Sequence, residues 1–309
     1  MVGHYPVMLQ EVIDALALEG KDIIVDGTFG GGGYTRAILE SSNASVIAID
    51  RDPEAIARSQ AIKDDFGDRF SITENTFSNI KDVVAEKNIP SVDGIVFDIG
   101  VSSFQIDTPE RGFSFMHQGD LDMRMSKEGI TAKQILEDYS EEQLAVIFKE
   151  LGEERHSRLI ARKIKEHIEE GNEFKTTLDL ANFIDRTIKG KKKIHPATRI
   201  FQALRIEVNQ ELEELKSAID ESLKLLNVGG RLVIVSFHSL EDRIVKEKFI
   251  EVAGKRKHVN KYQKQKDILP TDKPTYQNLS SRVLVPSDEE VKENVRSRSA
   301  KMRIIERIA

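Results

Sequence analysis

The chain has no cysteine, which removes disulfides and thiolate metal sites from its chemistry. Its seven histidines show no metal-ligand spacing such as HExxH, and no metal is expected. No apolar run is long enough to span a bilayer, and Met1–Glu11 contains no long apolar stretch. The protein is therefore expected to be soluble and cytoplasmic, with no membrane partner. An excess of positive charge is also missing. Lys and Arg total 46 against 52 Asp and Glu, a formal charge of −6, so any contact with nucleic acid must use local patches. There is no GxSxG nucleophile elbow and no internal repeat. What remains is a chain of 309 residues, 39% apolar, enough for a real core and for two domains of roughly 100–200 residues each.

The most informative stretch is a glycine-rich loop between two apolar runs that each end in aspartate. Ile23-Ile24-Val25-Asp26 leads into Gly27-Thr28-Phe29-Gly30-Gly31-Gly32-Gly33-Tyr34, and Val46-Ile47-Ala48-Ile49-Asp50 follows. A strand, bare glycine backbone and a helix start should make a pocket of free N–H groups. Asp50, 24 residues after Asp26, can hold two ribose hydroxyls, so a nucleoside-like cofactor is expected at the carboxyl edge of a parallel sheet. The dinucleotide pattern GxGxxG fits badly: its third glycine falls on Thr35 or Arg36. The template Asp-x-Gly-x-Gly-x-Gly of S-adenosylmethionine (SAM) methyltransferases fits better. Asp26, Thr28, Gly30 and Gly32 occupy it, with Thr28 in place of the first glycine. Against both stands an ordinary tight turn.

The first third alternates strand and helix. Strands are expected at Ile23–Asp26, Val46–Asp50, Phe70–Glu74 and Gly94–Asp98, and helices at Tyr34–Glu40, Pro53–Lys63 and Phe77–Lys87. This is a doubly wound beginning. The next apolar strand, Arg231–Phe237, follows Gly229-Gly230 and a helix over Glu207–Leu226. Asp98 and Gly230 lie 132 positions apart, whereas one crossover needs about 30 residues, leaving roughly 100 in excess. These hold helical periods at Thr131–Glu137, Glu141–Phe148, Arg155–Glu170 and Thr177–Lys189. The reading is a helical domain over 108–205 inserted into a core formed by 1–107 and 206–309. Helix Glu241–Val252 then leads to strands near Arg282–Val285 and Met302–Ile308, the antiparallel end of a seven-stranded sheet. Gly254–Gln277 reads as a polar, Lys-rich loop.

Three groups of residues carry candidate chemistry. Asp98, in Asp98-Ile99-Gly100-Val101-Ser102-Ser103, ends the fourth strand. It can accept the hydrogens of an exocyclic amine and so favour the tetrahedral nitrogen that attacks, or hold a cofactor, or cap the next turn. Arg111, Phe113 and Phe115, with Arg124 further on, either stack on a base and hold phosphates or pack a linker between domains. In Ser236-Phe237-His238-Ser239-Leu240-Glu241-Asp242, Ser239 with Asp242 looks like a helix N-cap pair, and His238 is a substrate contact or a structural residue. Three basic patches, Lys189–Arg199 (with Lys191, Lys192 and Lys193), Lys255–Lys266 and Arg296–Arg307, are RNA contacts or solvated faces.

Nearly end to end the chain resembles the bacterial 16S rRNA cytosine-N4 methyltransferase family (RsmH, or MraW). The resemblance lies in His4-Tyr5-Pro6-Val7, Asp26 to Gly33, Asp98 to Gln105, Arg111 to Met125, His195 to Arg205, Ser236 to Arg243 and Asn294 to Arg303. It implies a class I SAM-dependent methyltransferase with an inserted all-helical domain that recognises substrate. It further implies methyl transfer from SAM to the N4 of a cytidine in the decoding region of 16S rRNA, within the small ribosomal subunit or a late assembly intermediate. By motif, the cofactor residues would be Gly32, Gly33, Tyr34, Asp50, Phe77, Asp98 and Gln105. Tyr34 stands where the family has histidine, and Asp120 where it has proline. The absence of cysteine agrees with amino rather than ring-carbon methylation. Rival classes are a nicotinamide-dependent reductase and a non-catalytic SAM-binding rRNA assembly factor.

Overall fold

The computed structural model describes residues 6–188, 194–254 and 274–309. Ile- and Val-rich runs form the strands β1 (Ile23–Asp26), β2 (Ser45–Asp50), β3 (Phe70–Glu74), β4 (Val92–Asp98) and β5 (Leu226–Ser236), and two further strands follow, β6 (Tyr276–Asn278) and β7 (Lys301–Arg307). They make one sheet of order β3-β2-β1-β4-β5-β7-β6. The pairs from β3 to β5 are parallel, and β7 runs antiparallel to both β5 and β6. The order reverses between β1 and β4, the topological switch point at whose carboxyl edge such sheets bind ligands.

Strands buried on both faces need apolar residues at successive positions. Ile24, Val46, Val96 and Val233 enter one core cluster, and their neighbours Val25, Ile47, Ile95 and Ile234 enter another. The helices α1 (Leu9–Leu16), α2 (Gly33–Ser41), α3 (Pro53–Arg58), α4 (Gln60–Phe66) and α5 (Ile80–Ala85) accompany this half.

The chain divides into two compact units, Val101–Glu211 and the remainder. The first contains α6 (Ser103–Asp107), α7 (Ala132–Asp138), α8 (Glu141–Glu150), α9 (Ser157–Glu169), α10 (Thr177–Thr187) and α11 (Ala197–Asn209). It has its own core, including Leu136, Leu144, Phe148, Ile160, Leu180 and Leu204. Its limits are wider than 108–205 because α6 precedes the expected start and α11 continues past the expected end. The other unit resumes with α12 (Glu211–Leu225), α13 (Ser239–Val252) and α14 (Asp288–Glu293). No helix among the described residues is long and apolar enough to cross a membrane.

Several elements differ from the sequence reading. The single helix expected over 207–226 is two, separated at Gln210, whose φ of 51° is left-handed. The Asn209 amide group donates to the carbonyls of Met123 and Arg205, and a side chain bonding the backbone in this way favours a helix end. Arg282–Val285 is no strand: Leu284 makes only an isolated bridge to Met302. The sheet takes Tyr276–Asn278 instead, because Tyr276 packs on the second core cluster and its hydroxyl reaches the Leu223 carbonyl. The helix expected over 53–63 breaks at Ser59 into α3 and α4. The expected loop over Gly254–Gln277 lies mostly outside the described residues.

Candidate functional site

The loop after β1 engages part of its main chain internally, while the N–H groups of Gly31, Gly33 and Tyr34 at the start of α2 have no partner among the described residues. Gly27 donates to Val96 O (3.0 Å), Phe29 to Ile49 O (3.0 Å) and Gly32 to Phe29 O (2.6 Å). Thr28 N–H donates to Asp26 Oδ1 (3.2 Å) and Gly30 N–H to Asp50 Oδ2 (2.7 Å). Buried backbone donors find partners, and here the partners lie within the sheet edge. The glycines serve packing. Gly32 has a φ of +76°, and a Cβ there would fall 2.5 Å from Ile62 Cδ1. A Cβ on Gly33 would fall 2.1 Å from Pro6 Cγ.

Three aspartates end three adjacent parallel strands. Asp50, on β2, accepts from Gly30 N–H and from Asp52 N–H (2.8 Å), and burial pushes its pKa up. Asp26, on β1, is fully buried. Its Oδ2 accepts the Thr35 hydroxyl (2.6 Å), and burial above all raises its pKa to about 6. Asp98, on β4, has its Oδ1 buried with no hydrogen-bond partner among the described residues. Burial, then the charges of Asp26 and Glu241, push its pKa up to about 8. It does not cap the next turn. Ser102 does, accepting from Gln105 N–H (3.2 Å) while Gln105 Oε1 accepts from Ser102 N–H (3.0 Å). Thr28, the departure from the glycine template, has a function in this edge: its hydroxyl accepts the Asp98 N–H (2.6 Å).

Phe77 lies just past β3, its ring 5.5 Å from that of Phe97. Tyr34 belongs to the core: it is 4% exposed and its hydroxyl donates to the Val7 carbonyl. The tyrosine in place of histidine thus contributes main chain, not side chain, to the loop. At the end of β5 the expected Ser239–Asp242 cap is replaced by a pair one residue earlier. His238 is the N-cap of α13, with Nδ1 accepting from Glu241 N–H (3.4 Å). Glu241 Oε2 accepts the N–H groups of Phe237 (2.8 Å) and His238 (3.2 Å), and its Oε1 lies 2.9 Å from His238 Nε2. Asp242 instead pairs with Arg303 (2.6 Å) and Lys301 (3.5 Å).

In the helical unit, the arginines read as phosphate holders are engaged internally. Arg111, 7% exposed, donates to the carbonyls of Arg124 (3.0 Å) and Met125 (2.9 Å). Arg124 forms a two-pronged pair with Asp122 (2.9 and 2.7 Å). Phe115 packs against Phe201 and His195, at 4.8 and 4.9 Å between ring centres, and Phe113 lies 5.7 Å from the Arg111 guanidinium. Phe113 and Phe115 are both half-buried and pack against the unit's core. Lys191, Lys192 and Lys193 lie outside the described residues, as does the patch Lys255–Lys266. Two contributors were not read from the sequence, the Thr28 hydroxyl and Glu241. The first was visible only as a failed template position. The second was hidden because its capping partner is histidine rather than the usual serine or threonine.

The chemistry of this edge suits a cationic nucleoside. Asp50 can face ribose hydroxyls, and the unpartnered Asp98 oxygen suits a positive centre. A pyrophosphate would meet carboxylates where it needs donors. The seven-stranded sheet with its antiparallel β7 and this acidic switch point define a class I methyltransferase. The model of the MraW methylase family matches residues 1–308, and the chain belongs to that family. It is 46% identical over 308 residues to the ribosomal RNA small subunit methyltransferase H of Parvibaculum lavamentivorans, covering 99% of this chain and 90% of that one. It is 47% identical over 304 residues to the protein of the same name from Beijerinckia indica, covering 97% and 84%. A solved rRNA methylase from Streptococcus thermophilus aligns over 100% of this chain and 99% of its own at 13% identity and a TM-score of 0.43, too distant to add to the assignment. The protein is a SAM-dependent methyltransferase.

Proposed function

We propose that the enzyme methylates the exocyclic N4 of a cytidine in the decoding region of 16S rRNA, acting in the cytoplasm on the small subunit or a late assembly intermediate. The observation that carries the site is the unpartnered Asp98 oxygen at the switch point, and the relatives' names supply the RNA class. When bound, SAM supplies a methyl group on a sulfonium, already activated for displacement. The protein's residues then align, hold and exclude water. Asp50 would hold the ribose hydroxyls, the main chain of Gly32, Gly33 and Tyr34 would serve the cofactor, Phe77 would serve the adenine and Asp98 the positive centre, with Gln105 assigned to the cofactor by motif alone. Asp98 also serves as acceptor for the target amine, whose lone pair must leave conjugation with the ring. The cytidine must be unstacked to reach a sheet edge. Substrate recognition falls to the helical unit Val101–Glu211, and RNA affinity to the lysine runs, Lys191–Lys193 first.

Single-turnover transfer of labelled methyl to purified small subunits, with the product nucleoside identified by mass spectrometry, tests the reading. N4-methylcytidine is expected; no transfer to subunits, precursors or free rRNA would favour a non-catalytic assembly factor. Asp50→Ala is expected to weaken SAM binding about tenfold or more, from the loss of charge-assisted hydrogen bonds of roughly 1.5–3 kcal/mol each. Unchanged affinity by calorimetry removes Asp50 from the site.

A further inference from the structure

At the end of β4, Asp98 feels the charges of two further carboxylates, Asp26 from β1 and Glu241 from α13. Those two accept hydrogen bonds from the protein. Asp26 accepts from Thr28 N–H and the Thr35 hydroxyl; Glu241 accepts two main-chain N–H groups and lies beside His238 Nε2. Asp98 Oδ1 does not: it is buried without a partner among the described residues. The charges that weigh on it there are both acidic. Tyr34 on α2, the other titratable group coupled to it, is a buried phenol held neutral and donating to Val7. Asp98 is half-buried, and enclosing one carboxylate oxygen away from any donor or cation penalises the charged form and favours the neutral one.

We propose that Asp98 carries a proton in the free protein and releases it when the sulfonium of SAM binds, so that cofactor capture expels one proton and the uncharged product thioether is held more weakly. This rests on the placement of SAM at this edge. The balance is simple. The carboxylic acid and the cation become a carboxylate–cation pair, and the proton goes to solvent. Methyl transfer removes the charge from sulfur while the amine sheds a proton; one proton returns to Asp98, and the free state is restored. The site thus distinguishes donor from spent product by charge alone, at the atom where they differ.

Calorimetric titration of the full chain with SAM, from about pH 6 to about pH 9 in buffers of different ionisation enthalpy, counts the protons released. With the Asp98 pKa pushed up to about 8, release of close to one proton is expected below it, and SAM affinity should climb about tenfold per pH unit before levelling off. Asp98→Asn has no such proton, so its SAM affinity should be flatter by the same amount. The ligand's own amino group titrates alongside both proteins, and the difference between them belongs to residue 98. S-adenosylhomocysteine is expected to expel no proton from Asp98; this wild-type comparison stands even if the variant fails to fold. Equal release by wild type and Asn variant, or by both ligands on the wild type, overturns the coupling. Absence of SAM binding at every pH overturns instead the placement of the cofactor.

Discussion

At the scale of single residues, much of the carboxyl edge is held by groups that bond one another, such as Asp50 with Gly30 N–H and Asp26 with the Thr35 hydroxyl. Asp98 Oδ1 has no such partner among the described residues, and this residue links titration to stability. Its folded pKa, raised to about 8, lies far above that of an unfolded aspartate. Its contribution is therefore fully present below about pH 4 and is lost progressively as pH rises toward about 8. Asp98→Asn removes that loss. Without cofactor, the variant is expected to melt higher than wild type at pH 8 and equally or lower at pH 4, as followed by circular dichroism; a pH-independent difference would refute it. Tyr34→Phe tests the other reassigned residue. Leaving the Val7 carbonyl without its donor should cost about 1 kcal/mol of stability, with SAM affinity at saturating folded protein unchanged. A large loss of affinity in a fully folded variant would return the side chain to the cofactor site. Asp26, Asp50 and Asp98 were legible as strand-end acids. The internal bonding of the loop was not, because sequence shows which donors exist but not where a neighbouring strand places its acceptors.

At the scale of elements, parallel strands were readable where burial on both faces leaves uninterrupted apolar runs, as in β1, β2 and β4. Reading failed where tertiary contacts decide. β6 is a three-residue strand fixed by Tyr276 packing, whereas the more apolar Leu284 and Val285 remain exposed. The boundary between α11 and α12 is set by Asn209 reaching a loop more than eighty residues away. The cap of α13 falls one residue earlier than expected, on His238 rather than Ser239, because it is a histidine. That cap makes a prediction. His238→Ala should destabilise the protein by about 1 kcal/mol, and His238→Asn, a strong N-cap residue, should recover most of it. If His238 only caps, the single-turnover methyl-transfer rate at saturating ligand should recover with stability in the Asn variant. Recovered stability with a lost rate would make the histidine a substrate contact.

At the scale of the whole molecule, the chain forms two compact units with separate cores. Leu144, fully buried in the core of the helical unit, offers a local test. Leu144→Ala should cost about 2–5 kcal/mol of that unit's stability. Hydrogen exchange should show faster amides in α7 to α11 while β1, β2 and β4 stay protected; uniform loosening would show that the units do not unfold separately. The acidic total of the chain leaves RNA affinity to local runs. Joint replacement of Lys191, Lys192 and Lys193 by Gln should weaken RNA binding and flatten its salt dependence, with SAM affinity intact. Unchanged binding across salt would make this run a solvated surface.

The position of β7 also governs how the protein comes off the ribosome. This strand lies between β5 and β6 and feeds both core clusters, through Met302 and Ile304 on one face and Ile305 on the other. Ser236, at the end of β5, and its partner Lys301 are 65 residues apart. At about 5–20 residues per second, translation leaves the outer edge of β5 bare for roughly 3–13 seconds. During that interval the nascent chain presents unpaired N–H and C=O groups on an apolar strand, a template for association with another chain. Slow codons between 237 and 300 should lengthen the interval and raise the insoluble fraction at a fixed amount of protein made. A holdase chaperone that binds exposed strands should reverse that loss.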